Sequence, residues 1–318
     1  MRTGKGAAAA PARRPGAAVE VDGLVKRYGG RQVVAGLSFT AAAGAVTAVL
    51  GPNGAGKTTT IACCEGLRRP DGGRVRVLGL DPVADGAALR PRIGVTLQDG
   101  GLPTGAGALE VLRHIAGLHS DPVPVADLVE VLGLASFART RVRRLSGGQR
   151  QRLAVACALV GRPEVVFLDE PSAGLDPQAR LAMWDVVARV RAAGACVVLT
   201  THLMEEAERL ADLVVVVDGG RVVASGSPAE LTRTDSTLAF TARPALPLDS
   251  LRAALPPGTD VSETTAGRYL VSGVAAGPQV AATVAAWCAG QDVLPEGLGA
   301  ARRTLEDVFL DLTGRSLR

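Results

Sequence analysis

Short apolar runs alternate with longer mixed stretches along the chain, and the period of each run separates strands from helices. Residues 19–25 alternate apolar with polar side chains and read as a strand, as do residues 31–39. Gly44 turns the chain into a third strand, 46–50, which runs straight into a glycine-rich loop. Residues 58–67 carry no breaker before Gly66 and predict a helix. Pro70, Gly72 and Gly73 then mark a turn before a short strand at 74–78. Another strand, 93–97, ends at Gln98, and residues 109–160 are mainly helical with breaks at Pro122, Pro124 and near Ser146. Residues 165–168 are apolar throughout, the pattern of a strand buried on both faces of a parallel sheet. Helix 177–193, strand 195–200, helix 204–211 and strand 213–217 come next. This alternation predicts a parallel α/β core with an inserted helical block.

The punctuation changes near Ser236. Pro244, Pro247, Pro256 and Pro257 interrupt the remainder of the chain, and a strand at 268–272 with helices at 280–288 and 305–312 predicts a small α+β domain. Three segments result: a disordered lead over 1–18, a large domain over 19–235 and an accessory domain over 236–318. The length of 318 residues fits one large and one smaller domain. The lead is rich in Ala, Gly, Arg and Pro and has no apolar stretch before a cleavage site, so it is not read as a signal peptide.

Composition narrows the class. A mean hydropathy of +0.23 invites a membrane reading, yet no run is both long enough and free of breakers. The nearest, 269–291, contains Gly277, Pro278 and Gln279 and reads as strand, turn and small-residue helix. The net charge of +4 is not gathered into a patch, and the four arginines within 139–144 read as a solvated face, so no nucleic-acid partner is expected. The five cysteines show no C-x-x-C spacing and read as buried free thiols.

Two motifs carry phosphate chemistry. Gly51-Pro52-Asn53-Gly54-Ala55-Gly56-Lys57-Thr58 matches the phosphate-binding P-loop in full, with a strand before it and a helix after it. Its glycines let backbone N–H groups face a β-phosphate, and the helix adds its positive end. Lys57 reaches the β- and γ-phosphates, the Thr58 hydroxyl can ligate magnesium, and Thr59 adjoins them. The apolar strand 165–168 ends in Asp169 and Glu170. With that strand and the P-loop strand as neighbours in one sheet, Asp169 organises Mg²⁺ and Glu170 polarises or deprotonates the attacking water.

A third motif is Leu145-Ser146-Gly147-Gly148-Gln149, followed by Arg150-Gln151-Arg152. Small residues at a helix start expose N–H donors to an anion. With this motif the chain resembles the nucleotide-binding subunits of ABC transporters, a P-loop NTPase core with a helical subdomain (about 101–160 here). The resemblance implies an ATPase using ATP and Mg²⁺, in which Ser146, Gly147, Gly148 and Gln149 face the γ-phosphate held by a second copy. It assigns adenine stacking to Tyr28 and sensing of magnesium and water to Gln98. It places Asp176 at the subunit contact and His202 on the γ-phosphate. Ser172 stands where the family usually has Thr, and Gly105-Ala106-Gly107-Ala108-Leu109 replaces its usual Leu-Thr-Val.

The segments 201–208 and 304–310, with Leu312-Thr313-Gly314-Arg315, are similar to the daunorubicin-resistance type of exporter ATPase. That group pairs with ABC-2 type permeases and exports drugs, antibiotics, lipids or polysaccharides. The resemblance therefore implies a homodimer held at the cytoplasmic face of the membrane by a separate permease. The competing readings are an importer ATPase and a soluble ABC ATPase outside transport. For the last domain they are a regulatory ligand-binding module or a dimer-stabilising piece.

Overall fold

The computed structural model describes residues 16–96, 101–232, 238–273, 277–300 and 304–313. Gln98, the stretch around Ser236 and Gly314-Arg315 lie outside the described residues, as do the first fifteen. The chain divides into two compact units, one running to Pro228 and including Phe309 onward, the other Ala229–Val308.

In the first unit, β1 (Ala17–Tyr28), β2 (Arg31–Ala42) and, beyond β3 (Val46–Leu50) and helix α1 (Lys57–Cys64), β4 (Gly72–Val77) appear in chain order. The short helix α2 (Gly86–Leu89) precedes β5 (Ile93–Thr96). The inserted block contains α3 (Ala108–Ala116), α4 (Val125–Val131) and α5 (Gly147–Leu159). Then come β6 (Val165–Asp169), α6 (Pro177–Ala192), β7 (Cys196–Thr201), α7 (Met204–Leu210), β8 (Leu213–Asp218) and β9 (Arg221–Gly226).

These strands form two sheets, β2-β1-β4, antiparallel, and β5-β6-β7-β3-β8-β9. The second is parallel from β5 to β8 and closes with the antiparallel edge strand β9. The expectation of adjacent β3 and β6 is corrected: β7 lies between them. The separate antiparallel sheet and β9 are further features that periodicity does not give. The apolar character of β3, β6 and β7 follows from burial on both faces. Val49, Phe167, Val198 and Val215 join Ile61 of α1 and the small sheet in one core. Val166, Leu168 and Val197 turn the other way, onto Val155 and Leu159 of α5 and Val186 and Val187 of α6.

After the short helix α8 (Pro228–Leu231), the second unit runs β10 (Leu238–Thr241), α9 (Leu248–Ala254), β11 (Asp260–Thr265), β12 (Arg268–Ser272), α10 (Pro278–Gly290) and β13 (Glu296–Ala300). The sheet order is β11-β12-β10-β13, all antiparallel, which with two helices is a split βαβ arrangement. Leu238, Phe240, Val261, Tyr269 and Val271 point to one face and meet Leu251, Val280 and Val284 of the helices. Phe240 and Tyr269 stack at 5.0 Å. The apolar stretch 269–291 is divided between β12 and α10. No helix among the described residues is long and apolar enough to cross a membrane. The last helix, α11, spans Leu305–Thr313.

Candidate active site

The register of the large sheet assembles the site. Val49 of β3 stands beside Thr200 of β7, which stands beside Asp169 of β6. Parallel strands leave the sheet on the same side, so the loop after Leu50, the Asp169-Glu170 pair and His202 emerge along one edge. The expected placement of β3 beside β6 misses the strand between them, and that strand supplies a residue. The Thr200 hydroxyl donates to Asp169 Oδ1 and accepts the Glu170 N–H at 3.1 Å. It is a polar end on an otherwise apolar strand, a signal visible in the sequence as Thr200-Thr201-His202.

At the P-loop, Gly56 caps α1 with φ +99, and a Cβ there would stand 2.8 Å from the Val33 carbonyl. Lys57 is buried, and its ammonium donates to Gly51 O at 2.6 Å and Pro52 O at 3.2 Å. Two of its three donors are thus accounted for at the centre of the loop, and the third suits a phosphate oxygen. Burial pulls the Lys57 ammonium below its ordinary range, while the Glu170 and Asp169 carboxylates pull it back up. Asn53, Gly54 and Thr58 are exposed and Thr59 half-buried. The loop is also tied sideways. Gly220, at φ +76 between β8 and β9, donates to Ala55 O at 3.1 Å and accepts from Ala35 N of β2 at 2.8 Å.

Burial pushes the Asp169 carboxyl up, against hydrogen bonds from Thr200 and Thr58, and the nearby Glu170 charge adds to the push. A buried carboxylate disfavoured as an anion and touching the Thr58 hydroxyl suits a small hard cation. Among the described residues no three His, Cys, Asp or Glu gather. The protein donors on offer are therefore one carboxylate and one hydroxyl, a set that fits Mg²⁺ held mainly by phosphates and water.

Glu170 sits at φ +51, an uncommon place for a side-chain-bearing residue. Its N–H bonds to Thr200 on both backbone and side chain, and its carbonyl accepts from Gln151 Nε2 at 3.3 Å. These contacts hold a strained backbone that aims the carboxylate, and Glu170 Oε2 pairs with His202 Nδ1. His202 is exposed. Lys57, Thr58, Asp169, Glu170 and His202 therefore form one cluster. Gln151, two residues after the signature, is given no role by motif reading.

The signature forms a second cluster. Ser146 caps α5, its hydroxyl accepting from Gln149 N at 3.2 Å while Gln149 Oε1 accepts from Ser146 N at 3.0 Å. Gly148 packs against Gly174 and Leu175, where a Cβ would meet Leu175 at 3.0 Å. Among the described residues no hydrogen bond from Ser146–Gln149 reaches the P-loop. Helix α5 packs on β5 and β6, and its Gln151 reaches the Glu170 carbonyl just beyond β6. At the usual strand spacing β6 is roughly 10 Å from β3. Asp176 is exposed and caps α6, accepting from Ala179 N at 2.9 Å. Tyr28 is the end of a hairpin strand, 45% exposed, with Lys26 Nζ 5.5 Å above its ring.

The sequence profile of the ABC transporter family matches residues 34–173. The daunorubicin resistance ATP-binding protein DrrA3 of Streptomyces coeruleorubidus is 40% identical over 312 residues, covering 95% of this chain and 97% of that one. The chain belongs to the ABC transporter ATP-binding family. The cassette is also 38% identical to the Nod factor export ATP-binding protein I of Ralstonia nicotianae, over 94% of this chain and 95% of that one. A solved ATP-binding subunit of an ABC transporter aligns with 68% of the cassette and 92% of its own length, at a TM-score of 0.62 and 28% identity. The cassette is accordingly an ATP-binding, ATP-hydrolysing protein with a P-loop NTPase fold.

Proposed function

We propose that this ABC ATPase powers export through a separate ABC-2 type permease, working as a homodimer at the cytoplasmic face of the membrane. The observation that carries export is the match along almost the whole chain to relatives named for drug resistance and for Nod factor export. The cargo class on this reading is a drug, antibiotic, lipid or polysaccharide. The domain over 19–235 binds the nucleotide, with its helical block, about 101–160, toward the permease, and 236–318 is an accessory piece.

The dimer rests on the separation of the signature cluster from the P-loop of the same chain. A helix start that presents N–H donors to an anion finds its phosphate when a second copy supplies it. Each ATP then lies between Lys57 of one chain and Ser146 of the other, with Gly51, Asn53, Gly54, Ala55, Gly56, Thr58 and Thr59 around the phosphates and Tyr28 on the adenine. Thr58, Asp169 and Gln98 would hold Mg²⁺, which would supply positive charge to neutralise the phosphates. Glu170 takes the proton of the attacking water, and His202 fixes the Glu170 carboxylate. Lys57 and the loop N–H groups face the charge that spreads over the γ-phosphoryl oxygens. Gly147, Gly148, Gln149 and Asp176 complete the contact between copies.

The test is capture of the Glu170→Gln chain with ATP from its native membrane, followed by mass spectrometry. A multi-span integral protein without a substrate-binding protein is the expected companion. A companion substrate-binding protein would make it an importer, and recovery of soluble DNA- or ribosome-associated proteins alone would remove the transport claim.

A further inference from the structure

One buried carboxylate has been given no role in the site described above. Glu206, in the first turn of α7, is fully buried. Its Oε1 accepts two hydrogen bonds, from the Ser172 hydroxyl and from Trp184 Nε1 at 2.9 Å. Its Oε2 is buried and has no hydrogen-bond partner among the described residues. Both donors are themselves buried, Ser172 in the turn after β6 and Trp184 in α6. The guanidinium of Arg209 lies 5.3 Å from the Trp184 ring centre.

Burying a carboxylate costs several kcal/mol, and an apolar side chain of similar volume often serves stability as well or better. With one oxygen unpaired, Glu206 is a poor stabilising device. Its position gives it another use. Ser172 is two residues beyond Glu170, in a turn tightened by Ala173 N to Glu170 O at 3.1 Å and Leu175 N to Ser172 O at 3.3 Å. Glu206 is four residues beyond His202, and the intervening backbone is pinned by Leu203 N to Thr201 Oγ1 at 3.0 Å. The carboxylate therefore bridges two short, stiff segments, one rooted at Glu170 and the other at His202.

We propose that Glu206 is a positioning residue for hydrolysis: by tying the Ser172 turn to α7 it sets the Glu170–His202 pair and couples that pair to the Asp176 loop. This rests on the assignment of Glu170 and His202 to the attacking water. Ser172 supplies the hydroxyl this link needs, as the threonine usual at that position in the family would.

The test uses the full-length chain, with kcat and KM for ATP, nucleotide affinity and thermal stability measured together. Glu206→Leu, which keeps the volume and removes the carboxylate, is expected to lower kcat roughly 10- to 100-fold, the scale of a small misplacement at a reacting centre. KM, affinity and melting temperature stay at wild-type values or above. Glu206→Gln, which keeps one acceptor, retains more turnover. Ser172→Ala lowers kcat likewise, Ser172→Thr restores it, and the double variant Glu206→Leu/Ser172→Ala is no worse than either single one. A lower melting temperature with wild-type kcat per folded molecule would overturn the proposal and leave Glu206 a structural group. Should Glu206→Leu fail to fold, Ser172→Ala decides, and full turnover by it has the same meaning. Wild-type turnover by Glu170→Gln as well would instead bring down the assignment of the site. A dead Glu170→Gln beside a normal Glu206→Leu removes only the positioning role.

Discussion

The six-stranded sheet of the first unit and the four-stranded sheet of the second both bury an apolar face against helices, but they end their strands differently. In the first, β3, β6 and β7 are parallel and in register, so their C-terminal ends lie in a row and their following loops share one edge. That edge collects Lys57, Asp169, Glu170, Thr200 and His202. In the second, each strand runs against its neighbour, and successive strand ends fall on opposite edges. The buried hydroxyl of Tyr269 is spent within the fold, accepting from Leu246 N at 3.1 Å and donating to Arg243 O at 2.8 Å. Parallel order concentrates polar groups where a ligand can meet them all, and antiparallel order disperses them.

The contrast can be broken by substitution. The largest effect is expected from Glu170→Gln, with turnover down roughly 10²- to 10⁴-fold while ATP binding persists and the closed dimer accumulates. Steady-state hydrolysis beside nucleotide binding and size analysis measures it, and rapid turnover would sink the role of Glu170. Lys57→Ala is expected to weaken ATP binding by about 2–5 kcal/mol, the usual cost of removing one partner from a buried charged contact. Equilibrium titration with ATP reads this out, and unchanged affinity would count against the loop.

A smaller effect concerns Glu65, next to the same edge. Burial, with the Asp169 charge adding to it, raises its carboxyl from an ordinary 4.5 to about 8. The folded chain therefore holds a proton that the unfolded chain has released, so stability falls as pH rises from the ordinary carboxylate range to about 8 and levels off above it. Glu65→Gln should remove that slope and stabilise the chain at pH 8 by about 2–3 kcal/mol. Urea titrations at pH 5 and pH 8 test it, and equal slopes for the two chains would refute the shift. The smallest effect is expected in the second sheet, where Tyr269→Phe costs about 1–2 kcal/mol in unfolding and leaves kcat and KM for ATP unchanged. A change in either kinetic constant would show that this sheet does take part in the chemistry.

The P-loop, the Asp169-Glu170 pair and the signature were legible because each is a contiguous run whose chemistry is local. The apolar strands 165–168 and 213–217 were legible for the same reason: burial on both faces writes itself into consecutive residues. Sheet order was not, because pairing depends on which surfaces meet after the chain has turned, and so β7 came between two strands read as neighbours. Thr200 and Gln151 escaped with it, since each acts only through that pairing. The edge strand β9 alternates Arg221, Val222, Val223, Ala224 too weakly to stand out. In the second unit the strands at 238–241 and 296–300 are short and rich in small residues, and only the sheet they join gives them their form.

The contact of Gly220 with the P-loop has a consequence for how such chains diverge. A Cβ at this position would stand 2.4 Å from the Val33 carbonyl, and the backbone already holds a conformation few other residues adopt. In a saturation scan selected on transport, position 220 should therefore tolerate no replacement, even by alanine, and rank beside Lys57 although it lies outside the phosphate-binding motif. The fitness footprint of the phosphate loop extends to a turn far along the chain, and a map of permitted variation drawn from the motif alone would leave that turn blank.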